Sequence, residues 1–545
     1  MPGLAKREIW TVLSIGLVVL AISSIPYLLG YWFAAPGTEF GGFVVDLDDS
    51  YSYLAAMQQG LGNGWRYQVL FTPEEHRGVY LHTFYLGLGK LSSLLGFSLM
   101  QMYQLARVVC GLSLLITAYA FLSLFLEGRS ARLVAYLLIS FSSGLGWVVL
   151  LSGSFALHGL SPIDFWLMDA YTFFIIFTFP HSAAAVTLLL LFFIVASRYR
   201  ETYQLRALLG GCVILLPLCL IHPFTPLLVD GVLAAHWALL SLNRRKLLGR
   251  EATAVTIWAL APLPILVYYF HAFTSDPVLQ NWAVQNFLPS PPATHLILGY
   301  GIVFLLAVGG AAHVIQQRNE RRLLLVAWVI SAVILLYVPF TLQRRMVEGL
   351  HIPLCVLATI GLFEYLLPVA VDLGWLSRFA RWRGYQTAGW RRFLLYSIVM
   401  ATIPSNLYLI AGYSASALSN DPALYYGLEE VDAVDWLGES TERTDTVLAS
   451  YRISRYIPAR AGNRVFMGHF HETVQVESKK GMAESFFEET TSDDARRAFL
   501  AKYGISYVFH GPRERLVGEF DPSRAPYLTP VFDNASVQIY SVKRQ

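Results

Sequence analysis

Apolar runs of roughly 17–25 residues, each long enough as a helix to cross about 30 Å of hydrocarbon, recur along this chain from residue 9 to residue 413 and then stop. In lipid no water satisfies the backbone N–H and C=O groups, so a spanning segment must satisfy them itself, as a helix or within a closed barrel. Runs of this length select helices. Composition agrees, because 55% hydrophobic and only 14% charged residues over 545 positions exceed the apolar content of a soluble protein.

The first run, Ile9 to Tyr31, follows Lys6 and Arg7 and is too long for the apolar core of a signal peptide, although Ala34–Ala35 would suit a cleavage site. It is therefore read as a retained anchor. Further spans are expected near 100–126, 131–153, 179–198, 206–221, 224–242, 253–271, 294–315, 323–341, 350–368 and 392–413, about eleven in all.

Orientation follows from Lys and Arg in the short loops, which are retained on the cytoplasmic side. With the N-terminus cytoplasmic, the inner connections contain Arg129 and Arg132, then Arg198, Arg200 and Arg206, then Arg244, Arg245, Lys246 and Arg250. The later ones contain Arg318, Arg321 and Arg322, then Arg378, Arg381, Arg383, Arg391 and Arg392. The alternate loops at 154–178, 222–223 and 272–293 contain neither Lys nor Arg. A full span at Val79 to Leu95 would turn every later basic loop outward. That stretch is therefore expected to be a surface or re-entrant helix.

The expected architecture is an α-helical polytopic domain, 1–413, with an acidic first outer loop at 32–99, followed by a small extracytoplasmic α/β domain at 414–545. In that last segment helix-like stretches such as Leu428 to Leu437 alternate with strand-like runs at Thr446 to Ala449, Arg464 to Met467, Ile505 to Phe509 and Val537 to Tyr540. Cys110, Cys212, Cys219 and Cys355 all fall in expected spans, so no structural disulfide is expected in the outer domain. The net charge of +3 is accounted for by the inner loops and implies no nucleic-acid partner.

The first outer loop contains Asp46-Leu47-Asp48-Asp49-Ser50-Tyr51-Ser52-Tyr53, three carboxylates within four residues ahead of a surface helix. Such crowding raises local affinity for a divalent cation and can push one carboxyl toward the range of a general base. The same residues also suit a helix start, with Asp49 capping a helix that begins near Tyr51.

With its many spans, acidic first loop and soluble C-terminal segment, the chain resembles the GT-C class of membrane glycosyltransferases. That class includes protein mannosyltransferases, lipid A aminoarabinose transferases and oligosaccharyltransferase catalytic subunits. Asp48 and Asp49 match the class's acidic pair, and Tyr51 and Tyr53 match the aromatic positions that follow it. The resemblance implies an inverting hexosyltransferase of the cell membrane, moving a sugar from a polyprenyl-phosphate donor to a glycan, lipid or protein acceptor. It implies Asp49, with Asp48 as the alternative, as the catalytic base, Asp46 as a candidate metal ligand, and magnesium or manganese as a candidate cofactor. The absence of a WWDYG sequence argues against transfer to an asparagine sequon.

Arg344 and Arg345 form the one strongly basic short loop on the expected outer side. Guanidinium groups suit bidentate contact with the donor phosphate, although interfacial arginines also anchor to lipid headgroups. His181 after Pro180 and His222 before Pro223 lie at outer span ends and are candidate substrate contacts. So are Glu75 and His76, within a Glu74-Glu75-His76 segment placed to cover the acceptor, and the intramembrane ions Arg107 and Asp230. His469, His471 and Glu472 have metal-like spacing but are expected to be solvated at a strand end. No phosphate-loop, dinucleotide or zinc-protease motif is present. The rival function is a secondary transporter or lipid flippase, which could use an Arg107–Asp230 pair. The lack of an internal repeat argues against it.

The loop pattern is directly testable. Cysteines introduced at Ser290 and Ser536 are expected to react with an impermeant maleimide on intact cells, and one at Asn319 only after lysis. Equal labelling of all three would remove the topology.

Overall fold

The computed structural model describes residues 6–62, 64–157, 159–372 and 387–543. Arg378, Arg381 and Arg383 lie outside the described residues, as does the side chain of Arg391. Seven described helices are long and apolar enough to cross a membrane: Lys6–Trp32, Leu99–Leu122, Pro180–Thr202, Thr225–Arg244, Gly249–Ser275, Ala293–Gln317 and Gln343–Val369. The pair Arg392–Ala401 and Pro404–Leu418, bent by 42°, makes an eighth if it is one span. The expected spans at 206–221 and 323–341 are the shorter apolar helices Leu205–Ile221 and Leu323–Tyr337. The protein is a multi-pass membrane protein.

The chain divides into two compact units: Met1–Ile25 with Arg107–Val267 and Leu288–Gly412, and Pro26–Ala106 with Tyr268–Phe287 and Tyr413–Gln545. In the first unit the expected span at 131–153 is broken into Arg129–Phe141 and Gly146–Leu151. The break at 142–145 faces the bend before Pro404, and the two repair each other. Asn406 Nδ2 donates to the Phe141 carbonyl at 2.9 Å, and the Ser143 backbone N–H donates to the Thr402 carbonyl at 2.7 Å. Non-helical backbone at membrane depth is tolerated when protein groups satisfy it in this way. The helix Ala293–Gln317 kinks at Gly301, whose φ of 46° a side chain would resist.

The basic loops of this unit meet one another. Arg244 pairs with Glu320 at 2.6 Å, Arg321 with Glu201 at 2.5 Å and Arg322 with Glu364 at 2.7 Å, while Arg200 donates to the Glu320 carbonyl at 3.0 Å. The Arg345 loop instead meets the loop at 154–178 through Asp169. The exposed pairs of Arg244 and Arg321 contribute little stability, but all of them show which loops share an end.

The second unit contains a five-stranded mixed sheet in the order β4-β3-β5-β7-β6. Its strands are β3 (Thr446–Leu448), β4 (Arg464–Val465), β5 (Ile505–His510), β6 (Leu528–Asp533) and β7 (Gln538–Val542). β3 runs parallel to β4 and β5, whereas β7 is antiparallel to β5 and β6. Leu448, Phe466, Phe486, Phe487, Val508 and Tyr540 belong to its core. A two-stranded ribbon pairs β1 (Thr38–Phe40) with β2 (Tyr425–Gly427) and ties the first loop to the C-terminal segment. The stretch expected as a surface or re-entrant helix is Thr83–Leu95, whose 13 residues rise only about 20 Å. It packs Leu86 and Gly89 against Gly60 and Met57 of the helix Leu47–Gly60.

The first unit depends on close helix approach between Ala293–Gln317 and Gln343–Val369. A Cβ at Gly310 would collide with the Leu357 carbonyl, and one at Gly361 with the Leu306 carbonyl. Gly310→Val is therefore expected to destabilise the purified protein by about 1–3 kcal/mol, seen as a lower thermal midpoint. Gly309→Val is the control, since its Cβ meets only the Tyr365 ring at 3.8 Å. Equal midpoints for the two variants would refute the packing.

Candidate active site

The acidic segment forms the first turn of the helix Leu47–Gly60, four residues earlier than the expected start near Tyr51. Asp46 is the N-cap residue, in a left-handed conformation with φ 43° and ψ 64° and no side-chain cap bond. Asp tolerates that region better than most side chains. Asp48 and Asp49 thus lie inside the first turn, where the helix dipole favours negative charge, and neither is the N-cap. Tyr51 and Tyr53 anchor the helix. The Tyr51 hydroxyl donates to the Gly41 carbonyl at 3.2 Å, and Tyr53 stacks on Tyr85 with ring centroids 4.4 Å apart.

Residues about four hundred positions away hold the two carboxylates, and they hold them differently. Tyr451, at the start of the helix Tyr451–Arg460, donates its hydroxyl to Asp48 Oδ2 at 2.5 Å, and Arg455 one turn on donates to Asp48 Oδ1 at 3.1 Å. The pair with Asp48 reinforces the Arg455 charge against burial. Asp49 Oδ1 instead accepts from His469 Nε2 at 3.1 Å. The two aspartate side chains are 27% and 25% exposed, whereas His469 is 3% exposed. The acids therefore face outward from a buried support.

His469 is held from behind. Its Nδ1 accepts from the backbone N–H groups of His471 and Glu472, each at 3.1 Å. Burial alone would push this imidazole down, but the charges of Glu472 and Asp49, the hydrogen bond to Asp49 and the charge of Asp48 outweigh it and draw the group to about 9. The two N–H donors at Nδ1 oppose that pull and favour the neutral ring, which is the form this geometry fits. In either form Nε2–H is the donor and Asp49 the acceptor.

Glu472, whose side chain is 1% exposed, accepts from Ser52 and from the Tyr67 hydroxyl at 2.6 Å. His469 and Glu472 are thus buried in the support of the acidic helix, not solvated as their spacing suggested. His471 does lie at the edge of the cluster, its Nδ1 3.2 Å from the Gln285 carbonyl.

His82, which with Glu74-Glu75-His76 adds polar density to the first loop, is set in a left-handed conformation between the rings of Tyr53, Tyr67 and Trp282. Its Nε2 is buried without a hydrogen-bond partner among the described residues, and burial pushes the ring toward its neutral form.

The Glu74-Glu75-His76 segment is pinned. Glu74 accepts from Lys479 Nζ at 2.6 Å, and burial pushes that lysine down to about 8 against the pull of Glu74. His76 Nε2 accepts from the Val69 N–H at 2.8 Å and Nδ1 lies 3.2 Å from the Glu74 carbonyl, so the ring is spent on backbone. Glu75 is exposed. Among the described residues no group of three or more His, Cys, Asp or Glu side chains could hold a metal ion. The ligand role expected of Asp46 thus finds no completed set.

The other candidates lie in the first unit. Arg345 pairs with Asp169 at 2.7 Å and lies over Phe224, while Arg344 lies over the Trp166 ring at 5.2 Å. His222 Nδ1 is 2.6 Å from Glu348, whose side chain is 1% exposed and also accepts from Thr225 at 2.8 Å. The His181 ring meets His222 edge-on with centroids 5.0 Å apart. Sequence reasoning passed over Asp169, Trp166 and Glu348. Glu348 lies in the same short loop as the two arginines, and that was the available signal. Arg107 is buried by donating to Ser23, Ser24 and the Ile176 carbonyl, which accounts for it without Asp230.

No protein-family model matches the chain, and no curated protein matches it. Among solved structures it is similar over its whole length to ArnT from Cupriavidus metallidurans bound to undecaprenyl phosphate, with 10% identity, a TM-score of 0.52, and 99% of this chain and 100% of that one covered. It is also similar to the Archaeoglobus fulgidus oligosaccharyltransferase in its apo form, with 15% identity, a TM-score of 0.51, and 98% and 74% covered. The same enzyme tethered to an acceptor peptide containing the NVT sequon gives 15% identity, a TM-score of 0.52, and 92% and 69% covered. These neighbours are GT-C glycosyltransferases, and the chain shares their fold.

Proposed function

We propose that this protein is a membrane glycosyltransferase that transfers a sugar from a polyprenyl-phosphate-linked donor to an acceptor at the outer face of the membrane, with 414–545 as its soluble extracytoplasmic part. The observation that carries the reading is the unequal support of two neighbouring carboxylates. Asp48 is neutralised by Arg455 and bonded by Tyr451, which suits it to fix the helix and not to take a proton. Asp49 Oδ1 accepts an imidazole N–H from His469 and its side chain is 25% exposed, so it stands as a carboxylate beside a positioned support. A general base needs that combination.

In this reading the acceptor hydroxyl gives its proton to Asp49 as its oxygen attacks the anomeric carbon, and the bond to the donor phosphate breaks on the opposite face. One base suffices for such an inverting displacement. The leaving polyprenyl phosphate gathers negative charge, which guanidinium groups stabilise. Arg344 and Arg345 are the candidates for that role, Arg345 paired with Asp169 and Arg344 lying over the Trp166 ring. The ArnT neighbour bound to undecaprenyl phosphate is in keeping with a donor of this class. Magnesium or manganese would add charge neutralisation at the phosphate, but no step here is routed through it. The transporter reading loses its intramembrane pair, since Arg107 is satisfied by hydroxyls and a carbonyl.

Asp49→Asn keeps the size of the side chain and removes its charge and basicity. Transfer is expected to fall by at least about 100-fold, the lower end for a positioned base, with donor binding little changed. Asp48→Asn should cost less activity and more stability, because it leaves Arg455 without its partner. Near-normal transfer by both variants would sink the assignment. Changing Arg344 and Arg345 together to Gln should raise the donor KM or abolish turnover in folded protein, and unchanged donor kinetics would make them interfacial anchors.

A further inference from the structure

The second unit contains a cavity of about 590 Å³, within the range of small-molecule sites, on a different face of the acidic helix from Asp49. Leu54 and Gln58, four residues apart on the helix Leu47–Gly60, line it, whereas Asp49 and Ser52 occupy another stripe of the same helix. Tyr31 and Ala34, at the end of the helix Lys6–Trp32, form part of the wall, as do Leu99 and Met100 at the start of Leu99–Leu122. Both helices are long and apolar enough to cross a membrane, and the cavity is lined at the end of one and the start of the other. The exposed aromatics Trp32, Phe33 and Phe97 beside it suit a membrane–water boundary.

The lining combines apolar and charged side chains. Leu54, Leu99, Met100 and Leu428 supply apolar surface. Among the polar groups Arg460 is almost fully committed. Its Nε and Nη2 donate to Asp435 at 2.5 and 2.8 Å, and its Nη1 donates to Glu39 at 2.6 Å and to the Tyr456 hydroxyl at 2.8 Å. Glu39 and Arg460 balance each other in the lining, Asp435 outside it takes the remaining donors of Arg460, and the Glu39 side chain is 40% exposed. An ionised carboxylate can only accept hydrogen bonds. The lining therefore offers phosphate an arginine whose donors are already engaged, while Glu39 takes hydroxyl donors, with Tyr31, Phe40 and Tyr456 offering flat ring surfaces beside it.

We propose that this cavity binds an amphiphile with an uncharged, hydroxyl-rich headgroup, a sugar or polyol on an apolar tail. The site is separate from the acidic pair and does not rest on the reading of that pair as catalytic. Its occupant enters from the membrane, tail toward Leu99 and Met100 and hydroxyls toward Glu39.

The test uses the full-length protein in phosphatidylcholine nanodiscs and four probes with one tail: octyl glucoside, octyl phosphate, octylammonium and 1-octanol, all below micellar concentrations. Octyl glucoside is expected to bind saturably and at least about tenfold more tightly than each of the others. Ala34→Trp, which fills the wall from a partly exposed position, should weaken it by about tenfold or more. A diazirine-bearing glucoside on the wild-type protein should label residues within 31–41, 98–100 or 456–460, a readout that needs no variant. Octyl phosphate or octylammonium binding as tightly would assign the site to a charged amphiphile, and octanol binding as tightly would make it blind to the head. Either result overturns the proposal, as does labelling confined to 46–53 and 469–472.

Discussion

Two adjacent aspartates in one helical turn repel each other, and that repulsion is the constraint around which the second unit is arranged. Each carboxylate must keep its charge at a partly exposed site, so each needs its own donor. Asp48 takes a phenol and a guanidinium from one face of Tyr451–Arg460, and Asp49 takes an imidazole from the loop after β4. These donors can reach the helix only if the C-terminal sheet has formed and the ribbon β1–β2 has brought the two chain segments together. The fold of residues 425–543 is in this sense a support for a turn near residue 48. Removing one donor leaves a carboxylate uncompensated, which costs more than the pair itself contributes.

Seven of the spans, or eight with the bent pair, were legible in the sequence because a bilayer imposes one requirement along their whole length and hydropathy reports it, whereas the count of about eleven is not reached by described helices of spanning length. What breaks them was not legible. The gap at 142–145 and the bend at 402–403 depend on Asn406 and Ser143 finding carbonyls in a helix remote in sequence, and no local pattern encodes such a partner. β6 escaped notice because Pro530 interrupts it. As an edge strand with a register shift between Pro530 and Phe532, it tolerates the missing donor. The acidic pair itself was readable from crowding and from its resemblance to a known class, but its donors were not. His469 and Glu472 carried a metal-like spacing, and their role as buried supports of Asp49 and Ser52 follows only from long-range folding.

The loop of Arg344 and Arg345 shows how the same logic works in the first unit. Two arginines on the expected outer side run against the positive-inside trend, and the structure gives each a local partner. Asp169 answers the charge of Arg345, and Trp166 offers its ring face to Arg344. A ring face stabilises a guanidinium without neutralising it. Arg345 thus ties its loop to the loop of Asp169. Three residues on, Glu348 turns inward to hold His222 and Thr225. One short loop thus combines a cation paired with a carboxylate, a cation over an indole ring and a buried carboxylate that orients a histidine. Anchoring to lipid headgroups would need only the arginines, so the inward-facing Glu348, held by His222 and Thr225, is the part of this loop that such anchoring leaves unexplained.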